Sequence, residues 1–235
     1  MVAVKPTIVL VHGAFEESAV WKRVIHRLLG HDLPVVAVAN PLRSLDGDAG
    51  YVHDVIGGIA GPVVLVGHSF GGMVISQAVH SRVGALVYVS AFAPEPGESA
   101  LALAEKFAGG NLGEVLVAYP VATGGSEYRI DPALFHQRFC HDIDPESAAL
   151  MAVMQRPVAQ RALSDMTTRA AWHDTPSWFV YGDYDRTVPV EALRYMADRA
   201  RPMGIREIPG ASHSITVSWP DTVTRSILDA VEHVR

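Results

Sequence analysis

Residues 63–72, Val-Val-Leu-Val-Gly-His-Ser-Phe-Gly-Gly, carry the strongest indication of the fold. The first of these residues are typical of a buried strand, and the residues that follow have the three- and four-residue apolar spacing of a helix. Between strand and helix lies the pattern Gly-x-Ser-x-Gly, with Gly67 and Gly71 on either side of Ser69. Such a turn tolerates little bulk around the serine and places its hydroxyl near the free N–H groups of the helix. This context favours a nucleophilic Ser69 over an incidental serine in a glycine-rich turn.

The same alternation of strand and helix patterns extends along the chain. Continuous apolar runs predict strands covered on both faces, which is typical of a mostly parallel sheet flanked by helices. The predicted strands are residues 7–11, 34–39, 62–66, 85–90, 177–181 and 204–208, and the predicted helices are residues 18–29, 70–81, 190–200 and 220–234. The fold class is therefore α/β.

One connection is far longer than the others. Residues 92–172 have largely helical composition, whereas a strand–helix loop usually has about 2 to 6 residues. Asp131-Pro132 and Asp144-Pro145 each place an N-cap residue before a proline, which predicts two helix starts. We expect residues 1–235 to form one domain, with residues 92–172 as an inserted helical cap after the fourth recognisable strand.

Composition excludes several classes of protein. With 49% hydrophobic and 19% charged residues the chain has ample material for a core, so it is not intrinsically disordered. A net charge of −6 without a basic run argues against nucleic-acid binding. The single cysteine, Cys140, indicates a reducing compartment, and no Cys/His spacing suggests a metal. We expect a cytoplasmic protein without signal peptide, membrane span, metal or cofactor; no feature indicates an oligomeric state.

The chain resembles the α/β-hydrolase superfamily, and within it the small esterase and hydroxynitrile-lyase-like branch. The Gly-x-Ser-x-Gly elbow carries this resemblance, together with Val-His-Gly-Ala-Phe at residues 11–15, which follows the first strand as the family's His-Gly motif does. Trp21 begins the next helix, as in those relatives. The likeness covers essentially the whole chain, except that the two strands with which the family fold begins have no counterpart here.

The resemblance implies a Ser–His–Asp triad, since a serine nucleophile needs a base and the base an orienting acid. His213 lies in a short loop between the last predicted strand and helix and matches the family's base. Asp185 matches the acid in the pattern Gly-x-x-Asp-x-x-x-Pro. Asp183, as a turn-forming residue of the same loop, and Glu95, after the preceding strand, are the alternatives for the acid.

The resemblance also implies an oxyanion hole made of the backbone N–H groups of Ala14 and Phe70. We expect Phe15, Phe135 and Trp172 to contact the substrate, with packing of the core or cap as the alternative for each. Residues 92–172 carry ten acidic and six basic residues, which disfavours an anionic substrate.

The implied activity is hydrolysis of a small uncharged carboxylic ester through an acyl-enzyme, with water as the second substrate. A serine at position 69 excludes a dehalogenase, which needs a carboxylate there. Hydroxynitrile lyases of this branch carry a lysine after the base and an acid before the nucleophile, positions that Ser214 and His68 occupy here. A lyase, a perhydrolase or a cofactor-free dioxygenase with the same triad remains the alternative, and a non-catalytic binding protein is disfavoured by the intact triad.

Overall fold

The computed structural model describes residues 5–108 and 112–234, so residues 1–4 and 235 of the expected domain and residues 109–111 of the expected cap lie outside it. Strands and helices alternate along the described chain. The strands are β1 (Thr7–Val11), β2 (Val35–Val38), β3 (Val63–His68), β4 (Val83–Val89), β5 (Leu116–Pro120), β6 (Ser126–Ile130), β7 (Val158–Ala159), β8 (Ser177–Gly182) and β9 (Gly204–Ile208). The helices are α1 (Lys22–Gly30), α2 (Leu45–Gly57), α3 (Gly71–Gln77), α4 (Ala100–Glu105), α5 (Leu112–Val115), α6 (Pro132–Phe139), α7 (Pro145–Val153), α8 (Gln160–Ser164), α9 (Val190–Ala200), α10 (Ile215–Ser218) and α11 (Pro220–Val234).

Six strands form the main sheet in the order β2-β1-β3-β4-β8-β9, and every adjacent pair is parallel. All six predicted strands are present, so the predicted α/β architecture is confirmed. Successive residues of β1, such as Val9 and Leu10, belong to two different apolar clusters. Because successive side chains of a strand point to opposite faces, the sheet is packed with apolar residues on both sides. Parallel pairing also brings all the loops that follow the strands to one edge.

Two helices differ from the sequence-based expectation. Helix α2 was not predicted, because Gly47, Gly50 and Gly57 dilute its apolar pattern and lower its intrinsic helix propensity. Its start does carry a signal, since Ser44 caps the helix by accepting from the backbone N–H of Gly47 at 3.2 Å. Helix α3 ends at Gln77, several residues before the expected position 81, because the chain must turn there to enter β4.

The connection from β4 to β8, residues 90–176 and hereafter the β4–β8 segment, is mixed rather than purely helical. The predicted caps of α6 and α7 are present: Asp131 accepts from the N–H of Ala133 at 2.9 Å, and Asp144 from that of Ser147 at 2.8 Å. Strands β5, β6 and β7 form an additional antiparallel sheet, which the sequence analysis did not predict. Gly124 and Gly125, both with positive φ, lie in its hairpin loop and are the signal that was missed.

None of the helices in the described ranges combines the length and the apolar character that crossing a membrane requires.

Candidate active site

Ser69 lies on a tight turn between β3 and α3, at the carboxyl edge of the main sheet. Its φ is +53°, a left-handed conformation that costs free energy for a residue with a side chain. A Cβ on Gly67 would lie 2.5 Å from the carbonyl oxygen of Gly71, and a Cβ on Gly71 would collide with the carbonyl oxygen of Val11. The glycines of the predicted elbow are therefore required by close backbone approaches.

Asp185 and His213 meet at the same edge of the sheet. Nδ1 of His213 lies 2.6 Å from Oδ2 of Asp185, and both side chains are fully buried. The other carboxylate oxygen accepts from the backbone N–H groups of Thr187 and Val188 at 2.8 and 2.9 Å, which fixes the carboxylate. Because Nδ1 faces a carboxylate, it carries the proton, and Nε2 of the neutral ring is left as an acceptor. Nε2 is buried and has no hydrogen-bond partner in the part of the chain that is described.

The two alternative acids lie in other environments. Asp183 accepts from the backbone N–H of Gly210 at 2.6 Å, so it holds the β8 and β9 loops together as a turn residue. Oε2 of Glu95 lies 2.9 Å from Nε2 of His173. Of the three candidates, the structure brings Asp185 to His213.

Ser69 lines a cavity of about 20 Å³, which is room for about one water molecule. Ala14, Phe15 and Phe70 form part of its wall, with Thr187 and Val188 opposite. The N–H groups of Ala14 and Phe70 have no hydrogen-bond acceptor among the described residues. The cavity is therefore lined by the serine, by two residues with free backbone N–H groups and by the residues that bind Asp185. Ser69 is not hydrogen-bonded to His213, and such bonds often tighten only when a substrate is present.

A larger, mostly apolar cavity of about 640 Å³ lies on the other side of Phe15. Phe135 forms part of its wall, as do Val20, Leu150 and Met154. Phe15, whose φ is +63°, lines both cavities, so the two cavities adjoin at this residue. Phe15 and Phe135 are thus placed where a substrate could contact them.

Trp172, the third residue expected to contact substrate, lines neither cavity. Its Nε1 donates to the carbonyl oxygen of Pro94 at 2.9 Å, and its indole is buried. This position corresponds to the alternative of packing within the β4–β8 segment.

Sequence reasoning missed a buried contact between Glu16 and His68. Oε2 of Glu16 lies 2.6 Å from Nδ1 of His68, and Nε2 of His68 lies 3.0 Å from the carbonyl oxygen of His213. Burial opposes the charge of Glu16, but the charge and hydrogen bond of His68 outweigh it and hold the pKa of Glu16 below its usual value. Burial likewise opposes protonation of His68, yet Glu16 raises the pKa of His68. No local motif joins residues so far apart in the chain.

Within the described ranges, no three His, Cys, Asp or Glu side chains are grouped closely enough to hold a metal ion.

Comparisons with known proteins agree with the observed fold. A family profile described as alpha/beta hydrolase family matches residues 8–225. The carbendazim hydrolyzing esterase of Nocardioides sp. (strain SG-4G) is 34% identical over 116 residues, which cover 42% of this chain and 47% of that esterase, about half its length. The alpha-hydroxynitrile lyase of Arabidopsis thaliana is 22% identical over 243 residues, or 93% of this chain and 94% of the lyase. The crystal structure of polyneuridine aldehyde esterase has a TM-score of 0.82 at 21% identity and covers 96% of this chain and 99% of that one.

Because the family match spans most of the sequence, the chain belongs to the alpha/beta hydrolase family. Its similarity to esterases, methylesterases and a hydroxynitrile lyase places it in the small esterase and hydroxynitrile-lyase-like branch, as the sequence motifs had indicated.

Proposed function

We propose that this protein is a serine esterase that hydrolyses small uncharged carboxylic esters, with Ser69 as nucleophile, His213 as general base and Asp185 as orienting acid. The proposal depends mainly on the hydrogen bonding of the two ring nitrogens of His213. Asp185 occupies Nδ1, while Nε2 is buried without a partner at the edge of the sheet that also presents Ser69. A buried imidazole nitrogen kept free beside a serine on a strained turn fits a base waiting for a proton.

In the acylation step, Oγ of Ser69 attacks the carbonyl carbon of the ester while Nε2 of His213 accepts the hydroxyl proton. The carbonyl electron pair moves onto oxygen, and the resulting oxyanion accepts from the free N–H groups of Ala14 and Phe70. Collapse of this intermediate breaks the bond to the alkoxy oxygen. The alcohol leaves with the proton from His213, and the acyl group remains on Ser69.

In the deacylation step, water takes the place of the alcohol. His213 accepts one of its protons while the water oxygen attacks the acyl carbon, and the same two N–H groups receive the second oxyanion. Collapse releases the carboxylic acid, and the proton returns from His213 to Oγ of Ser69. Asp185 stays ionised throughout and stabilises the imidazolium that forms in each step.

The larger cavity supports a mostly apolar substrate, because most of its lining is apolar, although Glu17, Lys22 and Arg23 also border it. The space at Ser69 holds about one water, whereas the cavity beyond Phe15 offers about 640 Å³. We assign the larger cavity to the bulky group of the ester, which would reach Ser69 when the ring of Phe15 turns aside. Leu150 and Met154 come from the β4–β8 segment, which in this proposal acts as a cap that selects the substrate.

A cyanohydrin lyase is the second candidate, because the alignment with the hydroxynitrile lyase covers nearly the whole chain. In that reaction His213 would move a proton without an acyl intermediate. Ser214, which follows the base, has a buried hydroxyl that donates to the carbonyl oxygen of Phe139 and offers no cation for a leaving cyanide. This residue favours the esterase.

The test is covalent labelling with a fluorophosphonate, followed by peptide mass spectrometry and by assays with p-nitrophenyl esters and cyanohydrins. We expect one adduct, on Ser69, and ester hydrolysis that disappears in Ser69→Ala. Ser90→Ala is a matched control, because Ser90 is also a buried serine with positive φ and an unpartnered hydroxyl at the end of a neighbouring strand. An adduct elsewhere, or cyanohydrin cleavage without ester hydrolysis, would contradict the proposal.

A further inference from the structure

A second acid–histidine pair lies beside Asp185 and His213 and has no part in the mechanism above. Glu16 and His68 are joined at 2.6 Å, and the exposed fractions of their side chains are 2% and 0%. Oε2 of Glu16 also accepts from the backbone N–H of Gly13 at 3.3 Å, and Nε2 of His68 contacts the carbonyl oxygen of His213 at 3.0 Å. The pair thus ends on the main chain of the general base.

The partners of His68 determine where its protons lie. A carbonyl oxygen can only accept, so Nε2 must carry a proton to bond to His213. The N–H of Gly13 donates to Oε2 of Glu16 at 3.3 Å and stabilises the ionised carboxylate, so the shared proton lies on Nδ1 of His68. With a proton on each nitrogen, His68 is an imidazolium paired with a carboxylate.

The pair joins three separate segments around the base. Glu16 belongs to the loop after β1, His68 is the last residue of β3, and His213 belongs to the loop after β9. Asp185 holds the ring of His213, while His68 holds its carbonyl group, so the ring and the main chain of the base are fixed independently. This matters because a misplacement of about 1 Å at a reacting group can lower a rate by roughly 100-fold.

The rings of His68 and His213 are close, with centroids 4.8 Å apart. We propose that Glu16 and His68 are positioning residues: the pair fixes the main chain of His213 and, by keeping His68 protonated, leaves His213 as the one imidazole of the two that can accept a proton. The inference rests on the proposed function, in which His213 is the general base.

Four titratable groups face His68. Three of them contact or influence His68 itself: Glu16 from the loop after β1, Asp185 from the loop after β8 and His213 from the loop after β9. The fourth, His12, also lies in the loop after β1 and acts on His68 through its neighbour Glu16. Burial lowers the pKa of His12, whose Nδ1 donates to the carbonyl oxygen of Gly13, so this residue adds no positive charge at neutral pH. The two carboxylates favour the imidazolium of His68, and without the charge of Glu16 its burial should make the ring neutral.

The first experiment does not depend on activity. NMR of the protein labelled with ¹⁵N-histidine, with His68 assigned from His68→Gln, reports whether each ring nitrogen carries a proton. We expect both nitrogens of His68 to be protonated at pH 7 in the wild type, and one of them to lose its proton in Glu16→Gln. A neutral His68 in the wild type at pH 7 would overturn the proposal even if Glu16→Gln failed to fold.

The second experiment measures kcat, KM and the pH dependence of kcat/KM in Glu16→Gln, which keeps the shape of the side chain and removes its charge. We expect kcat to fall by roughly 10- to 100-fold with KM unchanged within about twofold. The acid limb of the kcat/KM profile should move, because the variant loses both the carboxylate of Glu16 and the imidazolium of His68 beside the general base. Asp48→Asn, which neutralises a buried carboxylate of α2, is the matched control and should leave this limb in place.

A folded Glu16→Gln protein with a lower melting temperature but an unchanged pH profile and kcat would show a merely structural pair and would overturn the proposal. The same experiments separate this inference from the proposed function. In an active wild-type enzyme, a neutral His68 contradicts the positioning role alone. In a wild type that is neither labelled at Ser69 nor active on esters, the proposed function and the positioning role fail together.

Discussion

The carboxyl edge of the main sheet, which carries Ser69, Asp185 and His213, differs sharply from the β4–β8 segment. At the edge the side chains are buried, and the carboxylate and the glycine turns are held by backbone groups. The β4–β8 segment instead exposes large apolar side chains, with Leu150 at 55% and Val153 at 76%. Buried contacts and backbone hydrogen bonds therefore hold the side chains at the edge in one arrangement. The exposed side chains of the β4–β8 segment can be substituted with less effect on the fold.

This difference implies that rate and substrate preference depend on separate parts of the molecule. Backbone turns of the sheet place the groups that perform the reaction, and they do so for any ester. Side chains of the β4–β8 segment shape the cavity beyond Phe15 and decide which ester fits. The following changes test this division, in order of decreasing expected effect.

The largest effect should come from the proposed triad. Ser69→Ala, His213→Ala and Asp185→Asn should each lower kcat by roughly a thousand- to a million-fold, and a double variant should be little worse than a single one. Steady-state kinetics on one p-nitrophenyl ester, with melting temperatures as the folding control, measures this. Losses that simply multiply in the double variants would show that the three residues do not act as a unit.

Adding a side chain at a glycine of the edge should destabilise the protein more than adding one at a glycine elsewhere. Gly71→Ala puts a Cβ against the carbonyl oxygen of Val11 and should lower the free energy of unfolding by up to roughly 3 kcal/mol, with slower labelling of Ser69. The matched control is Gly50→Ala in α2, where a Cβ meets no atom within 4 Å. There we expect a gain of about 0.5–1 kcal/mol in chemical denaturation. Equal effects at the two glycines would refute the close packing of the elbow.

Substrate preference should change in the β4–β8 segment without a change in the chemistry. Leu150→Ala enlarges the 640 Å³ cavity and should change the ratio of kcat/KM between short and long acyl esters by roughly 1–2 kcal/mol, while Ser69 is still labelled. Val153→Ala lies on the same helix but outside the cavity lining, so it controls for effects on α7 itself. An unchanged acyl-length profile in folded Leu150→Ala would mean that this cavity does not hold the acyl group.

The smallest effect should come from Asp48, a buried carboxylate outside the active site whose protonation changes the stability of the fold and not the reaction. Burial raises the pKa of Asp48 to about 6, above its ordinary value of 3.8. The folded chain therefore binds this proton more tightly than the unfolded chain. The free energy of unfolding increases as pH falls through about 6 toward 4, and this contribution is lost as pH rises above about 6. We expect Asp48→Asn to be more stable than the wild type at pH 7 by on the order of 1 kcal/mol, an advantage that shrinks toward pH 4. Urea unfolding at several pH values measures it, and a constant difference would contradict the assignment.

Much of the fold could be predicted from the sequence because its elements have local signals. Five strands of the main sheet are mostly apolar runs, β9 includes the charged residues Arg206 and Glu207, and α6 and α7 begin at Asp-Pro pairs. Helix α2 was missed because its glycines weaken the apolar period. Strands β5 and β6 were missed because they are short and partly exposed, so their sequences lack the apolar runs of the main sheet.

The α/β class and the elbow at Ser69 could be read from the sequence, since each depends on a short local pattern. The family resemblance implied His213 and Asp185 as partners but left Asp183 and Glu95 open as the acid, and the structure brings Asp185 to His213. Three further features are visible only in the folded chain: Glu16 contacts His68, Phe15 lines two cavities, and Trp172 packs away from both. These contacts join residues that are distant in the chain. They depend on how loops and side chains fill the space above the sheet, which no local period or motif encodes.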